Sequence, residues 1–536
     1  MSQISQTTQK LISRYQQWHQ SLQPKEGVST IHVDEVASKV AAFYEKIREV
    51  VDWKEQHLMR RAAIIRKLKR RFVNLELNGQ SIAEPLVLEL IRGGHFPNNK
   101  IEESKISDVQ RIINKYNFIL KNSPAARTTR EKLQFYNWLL EIAACEIEEA
   151  LYPFTREKAL IDYMFELMKE RIHLNQGVFV IRGLKEEEEN IQIYIAVQQA
   201  LFKLDRPIIS YNLLKYRYPG LEKAGLEMVS DLTKNIYTVW ETIEKDLSHP
   251  LAKKFYTICE KYDTPYLLLG DVLSEEEPTE ISSKISEPTI LEGLIKKAYA
   301  KRLSTLKKRL YRAAFYSTIS IFLTKCLSLF FLEIILDKLI NGKLTPTIII
   351  IDILGPTLLM LLLTITVKPP SKNNLNIVLI ETMKIVYQSK KVDVYELRIP
   401  KKGRVIIKLI ITFIYLLGAC ISLGFLIAIL EFAKFPPTSI IINIIFVALI
   451  AFAGLAIRKR AAELTIEEES TGLPGFLFDI LFLPIAELGR WLSNKWKKYN
   501  AIAAFFNALI DMPFLVFVEF LEQWRFFLKE KKEEIH

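Results

Sequence analysis

Glycine is scarce, 19 in 536 residues, and the chain holds no GxxxxGK[ST], no post-strand GxGxxG and no GxSxG. Phosphate loops, dinucleotide-binding turns and nucleophile elbows are therefore not written in it. Its four cysteines, Cys145, Cys259, Cys326 and Cys420, stand far apart without a CxxC pair, which argues against a disulfide framework or a zinc ribbon. The seven histidines are equally scattered and no HExxH occurs, so no metal and no cofactor is expected. The first twenty residues lack an apolar stretch of signal-peptide length, and the N-terminal half is expected to stay in the cytoplasm. Long uncharged runs are also missing until about residue 313.

What is present divides the chain. Hydrophobic residues make up 49% and charged residues 25%, with a net charge of +12, and the two characters occupy different segments. Abundant Ile, Leu, Lys and Glu favour helices. The expected fold class is all-α: a cytoplasmic multi-helix domain, a four-helix transmembrane unit and C-terminal interfacial amphipathic helices.

Along residues 1–273 the apolar positions recur at helical spacing. Val36, Val40, Phe43, Ile47 and Val50, then Leu58, Ile65, Leu68, Phe72 and Leu75, mark a long amphipathic helix over 34–77, broken near 52–56. Thr128 with Glu131 three residues on predicts a capped helix start, followed by Leu133, Tyr136, Leu140, Ala143, Ile147 and Ala150 and ended by Pro153. Further helices are expected over 155–173, 187–204, 225–247 and 251–269, and a strand only at 178–181. Residues 274–290, SEEEPTEISSKISEPTI, have the composition of a flexible acidic Ser/Pro linker. Residues 291–312 follow as a basic juxtamembrane helix.

Four apolar runs have spanning length, 313–336, 347–367, 405–430 and 439–457, within a membrane domain over 313–460. Eight cations precede the first run, nine lie in 368–404 and three in 458–460, against Lys338, Lys343 and Lys434 on the opposite turns. This bias puts both ends of the unit in the cytoplasm, as expected for a multi-pass protein of an inner or plasma membrane. Between the second and third runs, 375–387 reads as an amphipathic helix and VDVYELRI as a short strand. Small residues Gly418, Ser422 and Ala428, and Ala448, Ala451 and Gly454, permit close helix contact within one chain or between copies. The region 461–536 is apolar but interrupted by Asp479, Pro484, Asp511, Pro513 and Glu519. It is expected to lie in the interface or re-enter shallowly, anchored by Trp491, Trp496 and Trp524.

Three groups of residues carry candidate chemistry. Lys325 lies about twelve residues into the first run, roughly 18 Å deep, and Asp352 falls at similar depth on the second. Their pairing is expected, first as a buried pair that fixes helix register or oligomer contacts and second as part of an ion, proton or substrate pathway, with Pro356 leaving the Asp352 carbonyl without its helical donor. Glu333 and Lys408, nearer the run ends, are expected to snorkel. Lys296, Lys297, Lys301, Arg302, Lys307, Lys308, Arg309 and Arg312 adjoin the membrane and are candidates for anionic-lipid contact. Arg60, Arg61, Arg66, Lys67, Lys69, Arg70 and Arg71 form a basic patch for phosphates of nucleic acid or lipid, against the plainer reading that acidic segments such as 141–149 or 186–189 neutralise it.

The function expected from this inventory is a membrane-anchored helical scaffold whose N-terminal domain tethers a protein partner. The alternative is a transporter or channel subunit using Lys325 and Asp352. A third reading, a lipid-acting enzyme built on Asp479, Glu487 and Asp511, has nothing to orient these groups as acid and base.

Overall fold

A computed structural model describes residues 4–23, 27–33, 56–73, 82–125, 128–174, 185–335, 345–367, 369–387, 394–397, 405–466 and 473–499, with Phe520, Trp524 and Phe527. The structure is 82% helical, with 18 helices among the described residues, and the all-α class holds. It forms two compact units. Gln9–Glu260 makes up most of the first; Met1–Thr8, Lys261–Val392 and Glu396–Ala501 make up the second. The division falls at 260/261, ahead of the expected linker.

The first unit contains α1 (Gln6–Ser21, its first turn belonging to the second unit), α2 (Gln56–Val73), α3 (Ala83–Arg92), α4 (Ser104–Asn122), α5 (Thr129–Leu151), α6 (Thr155–Arg171), β1 (Ile172–Leu174), α7 (Glu186–Phe202), α8 (Arg206–Arg217), α9 (Leu226–Leu247) and α10 (Ala252–Lys261). The helix expected over 34–77 is observed as α2; its first part, and the strand expected at 178–181, lie outside the described residues. Thr128 caps α5 by accepting the Glu131 amide at 3.1 Å. From Trp138 to Glu148 nearly every α5 residue is buried, because α2, α4 and α8 all pack on it. A helix enclosed on all sides loses the single apolar stripe that its spacing suggested. Leu133, counted in that stripe, is 62% exposed. The core around α5 joins Ile64 and Leu68 of α2, Ile112 and Tyr116 of α4, and Ile209 and Leu213 of α8.

The second unit begins with α11 (Asp263–Glu275), α12 (Ile281–Ser286) and α13 (Pro288–Ser328), which runs into a π-helical turn at Leu329–Glu333. Then come α14 (Pro346–Ile365), α15 (Lys372–Val386), β2 (Tyr395–Leu397), α16 (Val405–Phe432), α17 (Pro437–Ala461) and α18 (Leu473–Tyr499). Residues 274–290 are not a flexible linker. Ile281 and Ile285, one helical turn apart, are fully buried on α12, and Lys284 bridges Glu276 at 2.6 Å and Glu280 at 2.9 Å. The Ser and Glu residues form the wet face of a short helix, which composition alone reads as linker. The basic stretch and the first apolar run are likewise one helix, α13. Its first half packs on α11, α12 and α15, with Leu291, Ile295, Ala298 and Tyr299 buried.

The four apolar helices match the expected runs, and each is long and apolar enough to cross a membrane. Phe322, Phe330, Phe331, Phe413, Phe425 and Phe432 stand exposed on α13, its π-turn and α16, an arrangement that suits hydrocarbon and not water. This is a helical membrane protein. α17 is the hub of the bundle, touching α13, α14, α16 and α18. The small residues serve contacts within the chain: Gly418 faces Ile480, Gly454 faces Leu363, and Gly489 of α18 meets the Ala448 backbone.

α18 corrects the reading of the C-terminal region. Ser422 donates to the Leu481 carbonyl at 2.7 Å, and Ser422 lies about 25 Å along α16 from Val405 at 1.5 Å per residue. A helix lying flat at the end of the bundle cannot reach that depth. Leu473–Tyr499 therefore packs on the middles of α16 and α17 instead of lying apart from them. Beyond Tyr499 the tail lies outside the described residues, apart from Phe520, Trp524 and Phe527.

Candidate functional site

Lys325 is fully buried on α13, with its ammonium 2.8 Å from Asp352 Oδ2 and 2.6 Å from Glu333 Oε1. The expected Lys325–Asp352 pair is present. Glu333, expected to snorkel, is instead fully buried as a second partner. The π-turn explains the difference. Eight residues of α-helix turn about 80° beyond two full turns, which would point Glu333 away from Lys325; the wider π winding over Leu329–Glu333 brings the two onto one face.

α17 supplies uncharged partners. Asn443 Nδ2 donates to Asp352 Oδ1 at 2.6 Å and to the Ser439 carbonyl at 2.9 Å. The Phe446 ring lies 5.1 Å from the ammonium, a favourable cation–π placement in a dry site. Ser328 Oγ donates to Glu333 Oε1 at 3.3 Å. Glu333 Oε2 and Ser439 Oγ are buried with no hydrogen-bond partner among the described residues. Pro356, also buried, lacks the N–H that would bond the Asp352 carbonyl.

The cluster sits nearer one end of the bundle. Asp352 and Asn443 are each six residues from the starts of α14 and α17, about 9 Å along the axes. Ile348, Phe435 and Ile440 form an apolar cluster at that end, while Met360, Ile450 and Ile457 form another deeper in the bundle. One ammonium and two carboxylates are thus closed between two apolar layers. Uncompensated charge in such a place costs several kcal/mol or more, so an arrangement with formally more negative than positive groups has room for one further positive charge.

The other candidates resolve differently. The basic patch on α2 is largely neutralised within the first unit: Arg60 meets Glu148 at 2.9 Å, Arg61 bonds Asp205, and Lys67 and Arg71 converge on Glu89 at 2.9 and 2.5 Å. Arg66 and Lys69 are exposed; the Arg70 side chain lies outside the described residues. Burial pushes the Glu148 carboxyl up to about 7 against the opposing pull of Arg60 and Arg61. Burial likewise raises Glu146, which takes Lys115 at 2.5 Å and the Tyr116 hydroxyl at 2.7 Å. Cys145 is buried beside Arg61 and its thiol is pushed up by that burial, leaving it unreactive.

On the first half of α13, Arg302 forks onto Asp271, with Nη2 at 2.8 Å, Lys301 meets Glu275 at 2.5 Å, and Lys296 meets Glu292 at 2.6 Å. Lys297, Lys307, Lys308, Arg309 and Arg312 are exposed. Trp491 is 56% exposed with Lys495 over its ring at 5.8 Å, and Trp524 is exposed beside Phe520; the Trp496 side chain is outside the described residues. Glu487 pairs with Arg490 at 2.7 Å, while the Asp479 side chain and Asp511 lie outside the described residues. Among the described residues no group of acidic, His or Cys side chains has the makings of a metal site.

Fold and cluster together define a helical membrane protein with a buried charge triad in its apolar bundle. Compared with known proteins, the chain matches no family model, no curated protein and no solved structure.

Sequence reasoning missed two members of this site. Glu333 lies near the end of its run and is therefore expected to snorkel, and uninterrupted α-helical geometry would also turn it away from Lys325. Asn443 is not singled out in the sequence reading, although an Asn with Ser four residues before it is a polar stripe that a lipid-facing helix would not carry.

Proposed function

We propose that the protein handles an ion within the membrane, as a transporter or channel component, through Lys325, Glu333, Asp352 and Asn443. The observation that carries this reading is the convergence of two carboxylates on one ammonium at 0–1% exposure inside the apolar bundle. A pair fixing helix register needs one acid for one base; the second acid has no such structural duty, and intramembrane acids of this kind line ion pathways. The membrane is placed with the basic flanks on the cytoplasmic side, and the exposed cations of α13 contact anionic headgroups. Purified protein in proteoliposomes should move ions in response to an imposed gradient, and Asp352→Asn should reduce that flux at least tenfold. Equal flux in both, or none above empty vesicles under any gradient, would remove the reading.

The scaffold reading keeps one supporting observation. The first unit has an open cleft of about 910 Å³ lined by residues including Ile31, Glu84, Leu88, Glu103 and Arg111, a mixed apolar and charged surface suited to a protein partner. A photo-crosslinking residue at Leu88 should capture one defined partner in cells; crosslinks no different from those at Leu133 would count against it.

A further inference from the structure

Resting on the ion-handling reading, we infer that the ion is the proton, and that Glu333 and Asp352 hold one exchangeable proton between them beside Lys325. The inference starts from charge. The groups facing the site are Lys325 from α13, Glu333 from the π-turn and Asp352 from α14, while α17 contributes the neutral Asn443, Ser439 and Phe446. With both acids ionised the closed site carries one uncompensated negative charge, which hydrocarbon penalises heavily. One added positive charge makes it neutral.

Geometry selects a proton over a metal cation. The ammonium already occupies the position between the carboxylates, within 2.6 and 2.8 Å of an oxygen from each, so a second cation would be placed against the first. Hard cations also need about six oxygen ligands, whereas the buried side-chain oxygens without a hydrogen-bond partner here are Glu333 Oε2, Ser439 Oγ and the ion-paired Asp352 Oδ2. A proton needs one oxygen, and Glu333 Oε2 offers it without disturbing either contact to Lys325. Asp352 Oδ1 already accepts from Asn443 and Oδ2 faces the ammonium, which leaves Glu333 Oε2 as the oxygen to carry the proton.

The test is infrared spectroscopy of the full-length protein in lipid nanodiscs, exchanged between mildly acid and mildly alkaline buffers and between H2O and D2O. With Glu146 and Glu148, the buried first-unit acids whose carboxyls are raised, replaced by Gln in every sample, the otherwise wild-type protein should show the carbonyl stretch of a buried protonated carboxylic acid, shifted in D2O. Glu333→Gln and Asp352→Asn should each abolish it, since either leaves one acid to balance Lys325, and both single variants should remain folded. The double variant should be the unstable one, because the ammonium then has no counter-charge. Absence of the band in a folded wild type, or a band that persists in both single variants, would overturn the inference. So would a thermal midpoint that rises with sodium or potassium at fixed pH in the wild type but not in Glu333→Gln. The two readings fail separately. A band without proton flux in proteoliposomes leaves the bound proton and removes transport; flux of another ion without a band removes the proton and leaves transport.

Discussion

Lys325 is held by two acids, so its removal is not repaired by removing one of them. Lys325→Met should cost about 3 to 5 kcal/mol, the range for breaking a buried pair, read as a fall in the thermal midpoint in detergent. Adding Asp352→Leu alone should leave Glu333 buried without a partner, whereas the triple replacement with Glu333→Leu as well should recover most of the loss. Recovery by the double replacement alone without a protonated-carboxyl band would mean that Glu333 does not belong to the site, whereas recovery with the band means that Glu333 is held neutral by its proton. In the first unit, Glu148 makes a pH prediction. Its carboxyl ordinarily titrates near 4.5 and is pushed up to about 7 in the fold. Between those values the folded state binds a proton that the unfolded chain releases, so stability is greatest at the acid end and falls as pH rises towards about 7. Hydrogen exchange of α5 amides in the full-length protein should quicken over that window, and Glu148→Gln should flatten the dependence. The Lys325–Asp352 pair was legible in the sequence because depth along consecutive helices is a matter of counting residues. Its third member was not, since a π-turn leaves no mark in apolar spacing.

Helix starts and ends were legible where side chains cap them, and Thr128→Ala should destabilise α5 by about 1 kcal/mol, measured by denaturant unfolding of the full chain. Thr128 is the acceptor for an amide, and Ser at this position should retain most of the effect. The contact of α18 with α17 rests on the absence of a side chain at Gly489, where a Cβ would overlap the Ala448 carbonyl oxygen. Gly489→Val should lower the thermal midpoint and release α18 to protease, by more than the 1 to 3 kcal/mol typical of an overpacked core, since backbone is less able to yield than side chains. Gly424→Ala, which meets nothing within 4 Å, should be neutral and serves as the control. Equal behaviour of the two variants would contradict the packing of α18. That packing escaped the sequence because interrupted hydrophobicity is shared by interfacial helices and by helices that present one polar edge inside a bundle. The helix at 281–286 escaped for the opposite reason: two isoleucines one turn apart were outweighed by the serines and glutamates around them.

At the level of the molecule, the chain packs as two units, and the four apolar runs were located to within a few residues. What composition could not supply was where the units divide, because the buried residues of α11 and α12 are interspersed with Asp, Ser and Glu. The charge bias predicts sidedness. Single cysteines replacing Lys434 and Ser371, in a background without the native cysteines, should be labelled by an impermeant maleimide from opposite faces of the membrane; labelling from one face would refute the four-crossing arrangement. One element extends beyond this layout. α13 runs unbroken for 41 residues, about 60 Å at 1.5 Å per residue, roughly twice the thickness of a bilayer's apolar core. One end is gripped by α11, α12 and α15, and near the other it carries the lysine on which both acids depend. A stiff rod of that length is a lever: Lys325 and Glu333 both ride on it while Asp352 stands on α14, so a small rotation applied at the gripped end would part the ammonium from Asp352 and leave it with Glu333, linking movement at that end to charge balance in the bundle.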